Sequence, residues 1–185
     1  MRMMPVFDFA TGTRYPFLTC HMVPGGERFA EDHSMKHTTA DITLDAPVER
    51  LWELLTDITL YPRWNLLFKE ASGRLNVGED IELLVALPEL APFRIRPKVM
   101  RFDPLRTFSW RYTMACGALF NWRYTVLLDP DSAGTTKFIQ TSSFGGILGP
   151  LFGFGMGGAV KNGLAEMNRA IRRWGEKGNI TCLKC

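Results

Sequence analysis

The feature that most constrains the fold is a long series of short segments in which apolar and polar residues alternate. The alternation runs from about residue 81 to residue 144, and turn-forming stretches at 88–92, 103–104 and 129–134 interrupt it. A further strand is predicted at 73–79, and residues 93–103 are predicted to form one strand. A two-residue period is typical of strands with one buried face, and short connections between consecutive strands favour antiparallel pairing. The sequence therefore predicts an antiparallel meander.

The two faces of the predicted sheet differ in chemistry. We expect the inner face to be apolar and rich in aromatic residues: Ile81, Leu83, Val85, Leu87, Phe93, Ile95, Pro97, Val99, Phe108, Trp110, Tyr112, Met114, Trp122, Tyr124, Val126, Leu128, Phe138, Gln140, Ser142 and Phe144. The outer face is polar and largely cationic: Glu82, Arg94, Arg96, Lys98, Ser109, Arg111, Thr113, Asn121, Arg123, Thr125, Lys137 and Thr141. Long cationic side chains on an exposed sheet are typical of solvation and edge protection. We therefore predict no nucleic-acid binding on this face.

Helical patterns flank the strands on both sides. After a strand over residues 40–44, Asp45 suits an N-cap and Pro47 a first helical turn. The apolar stripe of that first helix is Val48, Leu51, Trp52 and Leu55, and a second short helix or turn is expected around residues 58–65. A long C-terminal helix presents an apolar stripe toward the sheet, consisting of Val160, Leu164, Met167, Ile171 and Trp174.

A glycine-rich apolar run precedes the C-terminal helix. No charged residue occurs between Phe138 and Val160, a length that would suit a membrane span. However, seven of these residues are glycine and Pro150 interrupts them, so the run is poor helix material. We interpret residues 145–158 as a flexible apolar lip that guards a gap between helix and sheet, and we predict no stable membrane span.

The two ends of the chain lie outside the predicted domain. Residues 1–36 form an N-terminal arm. His33 and Cys20-His21 within it, and His37 just after it, lack a second half-site for a metal. We therefore predict no metal. The tail at 177–185 ends in Cys182-Leu183-Lys184-Cys185, whose third and fourth residues do not suit a prenylation signal.

Composition narrows the class of protein. The chain has 185 residues, of which 46% are hydrophobic and 22% charged, and this is ordinary for a globular domain. A net charge of +3 is too small to indicate nucleic acid, and four scattered cysteines are not a disulfide framework. Because no segment has the pattern of a signal peptide, we expect a cytoplasmic protein.

The order of these elements resembles a known superfamily. The resemblance is carried by ITLDAPVERLWELLTDITLYPRWN, VMRFDPLRTFSW, GTTKFIQTSSFGGIL and EMNRAIRRW, and it covers residues 37–176. The chain is similar to the START-like (SRPBCC, helix-grip) superfamily, in its polyketide cyclase/dehydrase or coenzyme-Q-binding branch. That resemblance implies an α+β helix-grip fold, with a curved antiparallel sheet wrapped around a long C-terminal helix and two short helices after the first strand.

The superfamily also implies a deep apolar cavity for lipids, isoprenoid quinones, polyketides or hormones. Some members are cyclases, aromatases or dehydratases, and their strand before the Gly-Gly turn often carries an inward His and Glu. The matching positions here are Gln140 and Ser142, so the usual acid–base pair is missing. No other catalytic signature, such as a Gly-x-Ser-x-Gly elbow or a dinucleotide fingerprint, is present.

Three functions follow from these observations. The first is binding of a hydrophobic small molecule without a cofactor, by Trp110, Tyr112, Trp122, Tyr124, Gln140, Ser142, Phe144, Phe152, Phe154 and Met156. The second is a cofactor-free polyketide cyclase, aromatase or dehydratase in which Tyr112 and Tyr124 are catalytic. Alternatively, Tyr124 lies close enough to Gln140 to satisfy it as a core pair. The third is a module that presents its basic sheet face to a partner.

Overall fold

The structure, a computed structural model, describes residues 36–114 and 119–176. The predicted N-terminal arm up to residue 35, with Cys20, His21 and His33, lies outside the described residues. The predicted tail at 177–185 lies outside them as well. Hypotheses about metal binding by the arm and about modification of the tail therefore stay predictions.

The described residues contain eight strands in two antiparallel sheets. The strands are β1 (Lys36–Leu44), β2 (Phe68–Ser72), β3 (Glu82–Val85), β4 (Phe93–Ile95), β5 (Lys98–Asp103), β6 (Thr107–Met114), β7 (Phe120–Pro130) and β8 (Thr136–Gly145). The larger sheet has the order β1-β8-β7-β6-β5, and the smaller has the order β2-β3-β4. One isolated bridge, between Asp80 and Lys98, links them. The predicted antiparallel arrangement is confirmed.

The helices have the predicted order. Two short ones, α1 (Val48–Thr56) and α2 (Tyr61–Trp64), follow the first strand and are separated by a 3₁₀ turn at Ile58–Leu60. The long C-terminal helix, α3 (Gly149–Glu176), packs on β1 and β8. Its contact with the smaller sheet is close at Gly163, where an added Cβ would lie 2.9 Å from Cδ1 of Leu67. The predicted helix-grip arrangement is therefore confirmed.

The predicted inner face forms the core. Of the residues assigned to it, Phe93 and Tyr112 are half-buried, Met114 is exposed, and the others are buried. Trp52 is also buried, as the helical stripe predicts, and Trp64 is buried as well. Several aromatic rings meet edge to face within this core, including Trp110 with Trp122 at a centroid distance of 5.4 Å. Such contacts add specificity to hydrophobic burial.

Several cations of the outer sheet face are paired with neighbouring carboxylates. The ion pairs are Arg94–Glu70, Arg96–Glu82, Lys98–Asp80, Arg101–Asp103 and Lys137–Asp41. All of these side chains are largely exposed, so each pair contributes at most about 1 kcal/mol to stability. A face of alternating charge favours ordinary solvation over capture of a polyanion.

Two sequence predictions about strands are wrong in detail. Residues 93–103 do not form one strand, because the chain leaves the smaller sheet after Ile95 and joins the larger one at Lys98. Pro97 lies at the break; it has no N–H, and its carbonyl accepts the N–H of Ile81 at 2.9 Å. The segment at 73–79, predicted to be a strand, is irregular and contains positive φ angles at Gly73 and Gly78.

The glycine-rich run is helical, which corrects its prediction as an irregular lip. The helix α3 begins at Gly149, and Pro150 sits in its first turn, where a missing N–H costs no hydrogen bond. Phe152 and Met156 pack against the core from this part of the helix. Tertiary packing of this kind overrides weak intrinsic propensity. No helix among the described residues is long and apolar enough to cross a membrane.

Candidate functional site

A pocket of about 370 Å³ opens where the two sheets separate beside the first half of α3. The pairing of β5 with β6 ends at Lys98 and Arg111, so the last residues of β6 have no neighbouring strand on that side within the described residues. On the other side of the gap lies β4, the edge strand of the smaller sheet. The strand break at Pro97 is therefore the local cause of the opening.

The lining of the pocket is mostly aromatic and aliphatic. It consists of Leu90, Ala91, Phe93, Arg94, Ile95, Tyr112, Met114, Phe120, Trp122, Phe144, Phe152 and Met156. The rings of Phe120 and Phe152 join β7 to α3, with their centroids 4.4 Å apart. Trp122 and Phe144 meet at 5.6 Å. The walls are thus held in place by contacts among the lining residues themselves.

Half of the predicted ligand-binding residues lie in this pocket and half do not. Those that line it are Tyr112, Trp122, Phe144, Phe152 and Met156. Those outside the lining are Trp110, Tyr124, Gln140, Ser142 and Phe154. The first four of these are buried in the core, whereas Phe154 is 84% exposed on the opposite side of α3.

The buried polar groups behind the pocket are bonded to one another. The hydroxyl of Tyr124 donates to Oε1 of Gln140 at 2.9 Å, and Nε2 of Gln140 donates to the Leu164 carbonyl at 2.8 Å and to Oδ1 of Asn168 at 2.6 Å. Likewise, Nε1 of Trp122 donates to Oγ of Ser142 at 2.7 Å. Tyr124, Gln140, Trp122 and Ser142 therefore have hydrogen-bond partners within the protein.

Burial also sets the chemistry of the core tyrosine. Desolvation raises the pKa of Tyr124 well above its ordinary value of 10.0, and the nearby Tyr61 acts in the same direction. A phenol that stays protonated and already donates its proton to an amide is a poor general base at neutral pH. Of the two tyrosines predicted as catalytic, Tyr112 alone belongs to the pocket lining.

The remaining lining residues were not predicted as site residues. Phe93, Ile95 and Met114 carry the inner-face pattern, but periodicity does not tell which inner residues border an opening. Leu90 and Ala91 belong to the turn that the sequence predicts at 88–92, and the sequence holds no signal that this turn borders a pocket. No group of three or more potential metal ligands occurs within residues 36–114 and 119–176.

The class of protein follows from this fold and from its similarity to solved structures. A START superfamily protein from Mycobacterium smegmatis has a TM-score of 0.58 at 12% identity, covering 75% of this chain and 96% of that one. A truncated norcoclaurine synthase from Thalictrum flavum has a TM-score of 0.60 at 15% identity, covering 78% and 96%. A hypothetical protein from Helicobacter pylori reaches 0.65 at 9% identity, covering 87% and 100%. These likenesses define a START-like, helix-grip fold.

A comparison of the sequence with family profiles identifies the family. The profile described as "Polyketide cyclase / dehydrase and lipid transport" matches residues 35–173. The chain belongs to this family, which agrees with the resemblance seen in the sequence. Among curated proteins, no sequence matches the chain significantly.

Proposed function

We propose that the chain binds a hydrophobic small molecule, of polyketide, isoprenoid or lipid-like character, in the pocket between β4, β6, β7 and α3. The observation that carries this proposal is the contrast between an apolar, aromatic lining and the Tyr124–Gln140 and Trp122–Ser142 hydrogen bonds behind it. A volume of about 370 Å³ suits a ligand of two or three rings. Membership of a family that includes lipid transport supports the same function.

The start of α3 and the turn before it carry exposed apolar side chains close in sequence to pocket residues. Ile147 is 79% exposed, Leu151 67% and Phe154 84%, on a segment that also carries the pocket residues Phe152 and Met156. Several exposed apolar side chains on one short segment suit a surface that a hydrophobic ligand crosses. We propose that residues 147–156 act as the portal and move when a ligand passes.

The proposal is tested by filling the pocket without touching the core. Ala91 is an exposed loop residue in the lining, so Ala91→Trp should occupy the cavity while leaving the fold intact. The matched control is Ala133→Trp, at an exposed alanine in the turn between β7 and β8. Titration with the neutral fluorescent probe N-phenyl-1-naphthylamine should give at least a tenfold weaker Kd for Ala91→Trp only. Equal affinities for both variants and the wild type would overturn the proposal.

A cyclase, aromatase or dehydratase acting on a reactive polyketide is the second candidate. The observation that favours it is the phenol of Tyr112 in the lining of the pocket. A phenol can donate a hydrogen bond to a substrate carbonyl and so polarise it. If the chain is an enzyme, Tyr112→Phe should lower kcat for a candidate polyketide at least tenfold at unchanged stability. An unchanged kcat would contradict the role of Tyr112.

A further inference from the structure

The edge strand β4 carries a main-chain hydrogen-bonding site that faces the pocket. Strand β4 pairs with β3 on one side, with Leu84 opposite Arg94 and Val85 opposite Phe93. No strand within the described residues pairs with its other side. The direction of each N–H and C=O along β4 therefore decides which groups are used by the sheet and which are free.

The direction follows from one hydrogen bond in the smaller sheet. The N–H of Ala86 donates to the carbonyl of Leu67 at 2.9 Å, next to the pair formed by Phe68 and Val85. In an antiparallel ladder, the N–H and C=O of a residue point to the same side, and successive residues alternate. Because Ala86 points toward β2, the main chain of Val85 points toward β4.

The same alternation applies across the next pair of strands. Val85 and Phe93 therefore exchange main-chain hydrogen bonds, and so do Leu83 and Ile95. Arg94 lies between these bonded pairs, so its N–H and C=O point away from β3. That is the side on which the pocket opens, and Arg94 belongs to the lining.

The side chain of Arg94 is engaged elsewhere. One of its guanidinium nitrogens lies 2.5 Å from Oε2 of Glu70, on the solvent-exposed face of the smaller sheet. Its side chain is 64% exposed there. The alternation of side chains across a strand places this face opposite the inward side chains of Phe93 and Ile95. The part of Arg94 that borders the gap is therefore its peptide backbone.

We propose that, in addition to the Tyr112 phenol, the Arg94 main chain is a polar recognition element of the pocket. Its N–H and C=O present a donor and an acceptor in the same direction, which complements a ligand with an acceptor and a donor on neighbouring atoms. The class that fits is an apolar ring system bearing a lactam, or a carbonyl beside a hydroxyl. The proposal rests on the proposed binding function and adds the chemical class of the ligand.

The polar network of the core supports this assignment, because two of the inner polar side chains are already engaged. The indole N–H of Trp122 is used by Ser142, and the Tyr124 hydroxyl by Gln140. A ligand carbonyl or N–H that enters an apolar pocket loses its water and needs a protein partner. The open edge of β4 supplies such a partner without any change in the core.

The test uses 2-quinolinone, which has an adjacent N–H and C=O, and naphthalene, which has a similar shape and neither group. Arg94→Pro removes the N–H, and proline is tolerated at an edge position whose N–H is outside the ladder. The matched control is Arg94→Ala, which removes the ion pair with Glu70 but keeps the N–H. We expect Arg94→Pro to bind 2-quinolinone about fivefold more weakly than Arg94→Ala, with equal affinities for naphthalene.

A measurement on the wild-type chain covers the case in which Arg94→Pro does not fold. In ¹⁵N-labelled protein, 2-quinolinone should shift the Arg94 amide proton downfield, and naphthalene should not. If naphthalene binds but 2-quinolinone leaves that amide unmoved, the inference about β4 is wrong and the proposed function stands. If neither compound binds, the proposed function itself fails, and the inference fails with it.

Discussion

The hydroxyl of Tyr124 donates a 2.9 Å hydrogen bond to Oε1 of Gln140 in the middle of the core. Both residues are completely or almost completely buried, and Gln140 is bonded to α3 through Leu164 and Asn168. The pair therefore connects the sheet to the long helix. This relationship explains why an amide can occupy a position where the superfamily often has a charged or titratable side chain.

Tyr124→Phe should destabilise the fold because it leaves the amide oxygen of Gln140 buried without a donor. We expect the free energy of unfolding in urea to fall by about 1–3 kcal/mol. The control is Tyr112→Phe, which removes a phenol from a half-buried position and should change stability by less than about 0.5 kcal/mol. Equal losses in the two variants would contradict the structural role of Tyr124.

The buried tyrosines predict a loss of stability at alkaline pH. Burial raises the pKa of Tyr61 and of Tyr124 above the ordinary value of 10.0. Their contribution to stability is fully present below the pKa that a tyrosine has in the unfolded chain, near 10. It falls as the pH rises toward the folded pKa, because the unfolded chain releases these protons first. Each group then lowers the free energy of unfolding by about 1.4 kcal/mol per pH unit.

Urea titrations at several pH values between 9 and 12 measure this slope. Tyr61→Phe removes one of the two groups, so its slope above pH 10 should be about 1.4 kcal/mol per pH unit shallower than that of the wild type. The variant also lacks the 2.7 Å hydrogen bond to the Leu55 carbonyl. The loss of this bond lowers the free energy of unfolding equally at every pH. Identical slopes in the two proteins would show that Tyr61 ionises without unfolding.

Substitution of glycines in α3 by alanine tests the proposed portal. An added Cβ at Gly155, Gly157 or Gly158 meets no atom within 4 Å. Replacing all three by alanine should stabilise the helix by up to about 3 kcal/mol, since each glycine costs about 1 kcal/mol relative to alanine. If this segment moves when ligand passes, release of N-phenyl-1-naphthylamine should slow in stopped flow. Faster or unchanged release would contradict the portal.

Gly163 provides the control for this experiment. It lies in the same helix, but its Cβ would approach Cδ1 of Leu67 at 2.9 Å and Cδ2 of Leu87 at 3.2 Å. The gain in helix propensity is then opposed by crowding against the residue before β2 and the loop after β3. We expect Gly163→Ala to give no increase in Tm and no change in ligand release.

The sequence predicts the fold and part of the site. The inner-face alternation places Trp110, Trp122 and Tyr124 correctly in the core, because every second residue of a strand points to the same, buried face of the sheet. It fails at Pro97, where an apolar pattern continues across a change of sheet. A hydrophobic pattern predicts which side chains are buried, but it does not predict which strands pair with each other. It therefore does not reveal where a sheet opens.

The error at α3 has a similar cause. Glycine content predicts a flexible lip for residues 145–158, but Phe152 packs on Phe120 in a tilted arrangement and Val160 is buried in the core. These contacts come from strands distant in the sequence, and they stabilise a helix that local propensity disfavours. The main-chain site at Arg94 is equally invisible in the sequence, since it depends on ladder geometry rather than on residue type.

The central claim is that an apolar ligand occupies the pocket beside α3, and methionine methyl groups report on it directly. Met114 and Met156 line the pocket, whereas Met167 lies in the core beside Tyr124. With ¹³C-methyl-methionine protein and saturating N-phenyl-1-naphthylamine, we predict intermolecular NOEs to Met114 and Met156 and none to Met167. NOEs to Met167, or saturable binding without NOEs to either pocket methionine, would contradict the claim.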